Sequence, residues 1–258
     1  GIDTMSGSDG SDTYFANVFN DVVSEANAVL ATGGNDLVNF LGTTGTFTLG
    51  LNVERLTLGG AAAINGTGNA LANTITGNAA ANVLNGGIDT LADILTGGLG
   101  NDIYVINSVN DNIVETAGQG IQDRALASVS FTLGAGDNVE ILQTTNTAGL
   151  GSINLTGNET AQIIYGNAGA NTLNGGIDTL VDTLVGGLGN DTYIVNSAGD
   201  NVYELLGQGT GDRALASVSF TLGAGDNIEV LQTSVTAGLV AINLTGNEKF
   251  EEEELRER

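Results

Sequence analysis

Four stretches of this chain recur farther along it at one fixed spacing. Leu84–Leu91 returns as Leu173–Leu180, Gly97–Asp102 as Gly186–Asp191, Phe131–Asn138 as Phe220–Asn227 and Asn154–Glu159 as Asn243–Glu248, each 89 residues on. A spacing that never drifts means that no connecting loop has gained or lost a residue between copies. A stacked array, in which each turn must stay in register with the next, imposes that constraint; separate globules do not. Ile64–Asn69 answers Ile153–Asn158 at the same spacing, and Gly7–Phe15 is a worn copy of the glycine stretch at Gly97. The chain therefore reads as a partial repeat unit over 1–69, a unit over 70–158, a second over 159–248, and a tail over 249–258. It opens inside a repeat and without Met, which reads as a piece of a longer polypeptide.

The most regular stretch is Gly97-Gly98-Leu99-Gly100-Asn101-Asp102-Ile103-Tyr104-Val105, with its near-copy Gly186 to Ile194. Glycines at the first, second and fourth places permit a tight loop, because they lack a Cβ. Asp102 or Asp191 then points a carboxylate into that loop, and the β-branched and aromatic residues after it read as a short strand. Further half-turns begin at Gly68, Gly77 and Gly86, and at Gly157, Gly166 and Gly175. Their ligand-like positions hold Asn73, Asn82 and Asp93, then Gln162, Asn171 and Asp182. The half-turns at Gly86 and Gly175 run to eleven residues and carry two aspartates each, Asp89 with Asp93 and Asp178 with Asp182. Spacing does not choose between the members of each pair, and a bulge could hold both near one cation.

The remainder of each unit, 106–156 and 196–245, is poorer in glycine and reads as longer strands, at 129–133, 138–142 and 153–155 and their copies. Ala16–Ala31 could be a short helix but matches better the loop-and-strand stretch after Tyr104. In the tail, Glu252–Arg256 and Glu254–Arg258 are favourable i,i+4 pairs for a short exposed helix.

The pattern G-G-x-G-x-D-x-U-x carried by Gly97–Val105 and Gly186–Ile194 resembles the RTX, or haemolysin-type calcium-binding, nonapeptide repeat of secreted bacterial proteins. The resemblance implies an all-β fold, a right-handed parallel β-roll or β-solenoid in which two nonapeptides make one turn and stacked loops sandwich calcium. Carried onto this chain, Asp102 would share an ion with Asn82 and Asp191 with Asn171. On the alternate edge Asp93 (or Asp89) would face Asn73, and Asp182 (or Asp178) would face Gln162. Asp3 and Asp12 would belong to edges only partly within the chain. Loop glycines such as Gly98, Gly100, Gly187 and Gly189 would supply backbone carbonyls, which serve calcium as well as carboxylates do. The chain departs from the family pattern where Asn or Gln stands for aspartate. That departure predicts fewer and weaker sites than loops, or asparagine ladders in place of the ion in some rungs. Asn107 and Asn196, where many relatives carry a carboxylate, weaken any extra site with Asp111 or Asp200. A second reading of Asp102 and Asp191 stays open at this point, that they cap turns by accepting backbone N–H groups.

Thirty acidic residues against six basic ones give a formal charge of −24. Such a surface repels nucleic acid and anionic membrane, and no apolar run is long enough to cross a bilayer. Roughly half of the acids, with Glu25, Glu54 and the C-terminal glutamates among them, read as solvated because they lie outside any glycine loop. A phosphate-binding reading of the glycines fails, since no lysine follows the loop and no long helix opens after it. With no histidine and no cysteine, the chain lacks the usual base, thiolate and zinc ligands, and no catalytic residue is assigned. The function expected is a non-catalytic, calcium-stabilised structural or adhesive segment of a secreted bacterial protein, with calcium ions as partners and Ca2+ as cofactor. The resemblance further implies type I export and folding outside the cell. Alternatives are an accessory module of a secreted protease, lipase or polysaccharide-modifying enzyme, and a head-to-tail self-assembling filament or surface-layer subunit. A cell-surface or polysaccharide ligand is a further candidate partner, whereas aligned Asn and Thr are too irregular to favour an ice- or sugar-binding face.

Overall fold

The computed structural model describes residues 1–26, 34–234 and 241–247. The helical tail expected from Glu252–Arg256 and Glu254–Arg258 lies outside them, as do the last residues of the alternative helix at 16–31. Where that helix is described, the chain instead forms the strands Thr13–Ala16 and Val22–Val23. Among the described residues there is no helix. The chain divides into two compact units, Gly1–Leu126 with Asp137–Val139, and Ala127–Gly136 with Glu140–Arg258.

Each unit is a parallel β-solenoid. In the first, one sheet stacks Thr13–Ala16, Leu37–Phe40, Arg55–Leu58, Thr74–Thr76, Ile94–Thr96 and Asn112–Val114. The facing sheet stacks Thr46–Thr48, Asn65–Thr67, Val83–Asn85 and Ile103–Ile106. In the second unit the sheets are Phe131–Thr132, Leu155–Thr156, Thr172–Asn174, Thr192–Val195, Arg213–Ala216 and Val230–Thr233, and Ile141–Thr144, Ile163–Tyr165, Thr183–Val185 and Asn201–Tyr203. Strands paired in space are separated by the next strand in sequence, so the chain passes from one sheet to the other at every half-turn.

Strands of three or four residues suffice because only alternate side chains need to point inward. In-register pairing then lines those side chains into columns. In the first unit Tyr14, Val38, Leu56, Ile75, Leu95 and Ile113 follow one another on one wall, and all are buried. On the second unit's walls Leu155 lies on Leu173 and Leu173 on Tyr193, while Leu142 lies on Ile164 and Ile164 on Leu184. Burying each such side chain contributes about 1.5–3 kcal/mol, enough to hold short strands that hydrogen bonds alone would not. Gly66 interrupts the first unit's second column because a Cβ there would come within 2.8 Å of Leu56 Cδ2 and 3.1 Å of Ile75 Cγ2.

Candidate metal centres

The loop Gly97–Asp102 closes because Gly98 and Gly100 take φ of +96° and +119°, a region that a Cβ makes costly. The closure turns Asp102 inward, into full burial. Its Oδ1 accepts the N–H of Asn82, one coil earlier, at 2.7 Å, and its own N–H donates to Oδ1 of Asp123, one coil later, at 2.6 Å. Strand register holds Asp123 there, since the N–H of Arg124 donates to the Asp102 carbonyl at 2.9 Å. Glu115, directly after the strand Asn112–Val114, completes the group. The hydroxyl of Tyr104, from the strand Ile103–Ile106, donates to Glu115 Oε2. Asp102, Glu115 and Asp123 thereby place one carboxylate oxygen each within 4.8 Å of one another, all three side chains buried.

The same constellation is built twice more, as Asp191, Glu204 and Asp212 with Tyr193, and as Asp12, Glu25 and Asp36 with Tyr14. Each has a glycine lying against it, Gly97, Gly186 or Gly7, where a Cβ would collide with the first aspartate's Oδ2 and the tyrosine hydroxyl. A further pair of oxygen clusters flanks the eleven-residue half-turns. Asp93 Oδ1 accepts the Asn73 N–H at 2.7 Å, and the Asp93 N–H donates to Asp111 Oδ1 at 3.2 Å. Asp89 Oδ1 accepts the Leu91 N–H at 2.6 Å, while Asn107 donates its amide to the Gly87 carbonyl. Asp182, Asp178, Asn196 and Asp200 repeat these contacts.

Three carboxylates with oxygens within 4.8 Å of one another in a largely buried site repel and are poorly hydrated, and both effects favour protonation. Burial, opposed by the Asn171 N–H and reinforced by Asp212, pushes Asp191 up to about 6. Burial pushes Glu204 up to about 8, with Asp212, Asp191 and Glu229 adding to it and the Tyr193 hydroxyl opposing. Asp102 is raised by burial. Asp93 and Asp182 rise to about 6, again chiefly by burial, with Asp111 and Asp89, or Asp200 and Asp178, as repelling neighbours. Burial and the nearby carboxylates raise Tyr104 and Tyr193 far above the ordinary phenol range.

The donor set fits a hard divalent cation. Every candidate ligand is an oxygen, in a chain without histidine or cysteine, which suits calcium and disfavours zinc or copper. Asp12 Oδ2, Asp36 Oδ2, Asp102 Oδ2, Asp191 Oδ2 and Glu204 Oε1 are buried without a hydrogen-bond partner. So are Asp89 Oδ2, Asp93 Oδ2 and Asn107 Oδ1, and the equivalent Asp178 Oδ2, Asp182 Oδ2 and Asn196 Oδ1. An orphaned buried acceptor costs about 1–3 kcal/mol, more if charged, and its recurrence at equivalent atoms is an environment that a divalent cation would suit.

Comparison with known families agrees with this chemistry. The RTX calcium-binding nonapeptide repeat matches in four copies, at residues 1–23, 67–104, 90–113 and 156–193. The chain carries RTX repeats. No curated protein and no solved structure matches it. RTX repeats wound into a β-solenoid suggest a calcium-binding structural module, and such repeats are typical of secreted bacterial proteins.

Within these RTX loops the structure brings Asp102 to Asn82 and Asp191 to Asn171, but through the asparagine N–H groups. The side-chain oxygens of Asn82 and Asn171 turn into their own loops, accepting the N–H of Asn78 and Asn167 at 2.8 Å each. Bonding between coils thus uses one oxygen of Asp102 and Asp191, and the other has no hydrogen-bond partner. Gly187 and Gly189 repeat the positive φ of Gly98 and Gly100. Asp3 is exposed, and its N–H donates to Asp21 Oδ1 at 2.8 Å. Asp12 joins Glu25 and Asp36. Glu25, expected to be solvated, is only 5% exposed, because the Gly7 N–H at 2.8 Å and the Tyr14 hydroxyl both donate to its carboxylate. Glu115, Asp123, Glu204 and Asp212 were not among the expected site residues. One signal could have found them. Glu115 and Asp123 recur as Glu204 and Asp212 at the 89-residue spacing, and the interval from Asp to Glu is the same at Asp12–Glu25.

Proposed function

We propose that this chain is a non-catalytic, calcium-ordered structural segment of a secreted bacterial protein, organised in repeat units over 1–69, 70–158 and 159–248. The recurrence of nine consecutive strands, from Thr74–Thr76 to Leu155–Thr156, at 89 residues supports those units. The observation that carries the function is the Asp–Glu–Asp cluster, built three times among the described residues against a glycine, with eight of its nine side chains buried and with Oδ2 of Asp12, Asp36, Asp102 and Asp191 and Oε1 of Glu204 lacking a hydrogen-bond partner. Asp102, Glu115 and Asp123 would hold one calcium ion, Asp191, Glu204 and Asp212 a second, and Asp12, Glu25 and Asp36 a third. Asp89, Asp93 and Asn107, with Asp178, Asp182 and Asn196, offer two further sites. Calcium there supplies positive charge to carboxylates that otherwise repel one another. A ligand that binds only the folded chain stabilises it by about 2.7 kcal/mol per site at a hundredfold excess over Kd. Sites of the millimolar class found in extracellular modules would leave the segment loose in the cytosol and firm outside.

Equilibrium dialysis of the chain and of its D102A/D191A variant against calcium tests this. The parent is expected to retain calcium at millimolar concentrations and the variant about two ions fewer, one per cluster. Retention of none by the parent, or equal retention by both, overturns the assignment.

A further inference from the structure

Eight of the glycine half-turns fall into two kinds that differ at two positions together. Where the second residue is glycine (Gly87, Gly98, Gly176, Gly187), the last residue of the loop before the strand is aspartate (Asp93, Asp102, Asp182, Asp191). Where the second residue is asparagine (Asn69, Asn78, Asn158, Asn167), that last residue is a neutral amide (Asn73, Asn82, Gln162, Asn171). The carboxylate half-turns all leave the Oδ2 of their last residue buried and unpartnered.

The amide half-turns leave no such atom. In each, the second asparagine reaches back one coil with its NH2. Asn69 donates to the carbonyls of Gly50 and Val53 at 2.6 and 2.7 Å, and Asn78 to those of Gly59 and Ala62 at 3.2 and 2.9 Å. Asn158 donates to Gly134 at 2.7 Å and Asn167 to Gly151 at 2.9 Å. The same asparagine's Oδ1 accepts the N–H two residues on, in Leu71, Ala80, Thr160 and Gly169. Its N–H donates to the side-chain oxygen of the last residue at 2.7 to 3.3 Å. In three of the four that last residue returns an N–H to the asparagine Oδ1. The side-chain network is neutral, and the last residue's backbone N–H ties it to the aspartate one coil later.

We infer that Asn69, Asn78, Asn158 and Asn167 act as built-in substitutes for the cation, gathering with a carboxamide NH2 the loop carbonyls of the preceding coil. They thereby determine which half-turns take calcium: those with asparagine second are clasped without it, and those with glycine second need it. The physical reason is the donor count. An NH2 group supplies two N–H donors with no charge to neutralise, and Asn69 and Asn78 spend both on carbonyls of the preceding coil, whereas a carboxylate in the same setting has only acceptors and must find a positive partner. Consequently calcium orders this chain in patches, with the amide-clasped coils as a scaffold that is already folded when the ion arrives.

This rests on the calcium assignment above for the glycine half-turns, and the experiment separates the two. Amide hydrogen exchange of the whole chain is followed by mass spectrometry in chelator and in millimolar calcium, for the parent and for N69A/N78A. In the parent, calcium is expected to slow exchange at 97–123 and 186–212 while 68–82 and 157–171 are protected in both conditions. Equal loss of protection at 68–82 and 97–102 in chelator overturns the inference. In N69A/N78A, exchange at 68–82 is expected to rise about tenfold in chelator, as loss of one or two net hydrogen bonds gives, and to stay raised with calcium. Full restoration by calcium overturns the inference, since it would put an ion in those half-turns. If calcium changes nothing anywhere in the parent, the calcium assignment fails, and the chelator arm of N69A/N78A still decides whether the asparagines hold the coil.

Discussion

The N–H of Asp102 donates to Oδ1 of Asp123 across one coil at 2.6 Å, and the N–H of Asp191 donates to Oδ1 of Asp212 at 2.7 Å. One oxygen of each of Asp123 and Asp212 is thereby committed to the backbone of the neighbouring coil, while the carboxylate stands within 4.8 Å of those of Asp102 and Glu115, or of Asp191 and Glu204. Asparagine at 123 or 212 keeps that bond and removes the charge. D123N and D212N are expected to melt higher than the parent in chelator, by about 1 kcal/mol each, and to gain less from calcium. Thermal melts with and without the ion check this crossing, and a variant that loses stability in both conditions would contradict it.

The pH response is expected to differ with and without calcium. Asp93, Asp182, Asp191 and Glu204 are shifted upward in the ion-free fold, to about 6, 6, 6 and 8. An acid whose folded pKa is raised leaves the folded state holding more protons than the unfolded one, so stability falls as pH rises through the folded pKa. In chelator the melting temperature is expected to drop between pH 5 and pH 8.5, where the unfolded carboxylates are already ionised. In saturating calcium the drop disappears or reverses, because the ion holds the carboxylates in their charged form. Calorimetric scans across that range, in both conditions, decide it.

Gly97 and Gly186 are required by the space the carboxylates occupy. A Cβ at Gly97 would meet Glu115 Oε2 at 2.6 Å and run into Asp102 Oδ2 as well. G97A and G186A are expected to lose about 2–4 kcal/mol and to abolish calcium-dependent stabilisation of the adjoining cluster. Gly151, where a Cβ would meet nothing within 4 Å, provides the control. G151A should stay within about 0.5 kcal/mol of the parent. Urea melts in calcium and in chelator compare the three.

Tyr104 and Tyr193 are fully buried, and each hydroxyl donates to a glutamate. With their phenol pKa raised by burial and by those carboxylates, neither is expected to ionise before the chain unfolds. In a spectrophotometric titration their phenolate absorbance should therefore appear together with loss of the far-ultraviolet strand signal. Y193F leaves Glu204 with one donor fewer and should cost about 1–3 kcal/mol in chelator. A smooth phenolate titration of all five tyrosines in the folded state would refute the buried pairing.

Much of this protein is determined by sequence order alone. The 89-residue spacing and the alternation of glycine loops with three-residue apolar strands dictate a parallel coil, because in-register stacking is the arrangement that buries every middle residue. Asp102, Asp191, Asp93 and Asp182 are legible as site candidates because each closes a glycine loop that turns it inward. Glu115 and Glu25 are not, since they follow no glycine loop and local pattern gives them the look of solvated acids, and Asp123 closes a loop, Gly118-Gln119-Gly120-Ile121-Gln122, that departs from the repeat pattern. Only the tertiary structure decides their role. The pitch of the coil sets Asp123 beside Asp102, 21 residues on, and the inward tyrosine draws Glu115 to both. Whether a half-turn is closed by an amide or left open for an ion is likewise settled between coils, where the carbonyls of one turn meet the second residue of the next.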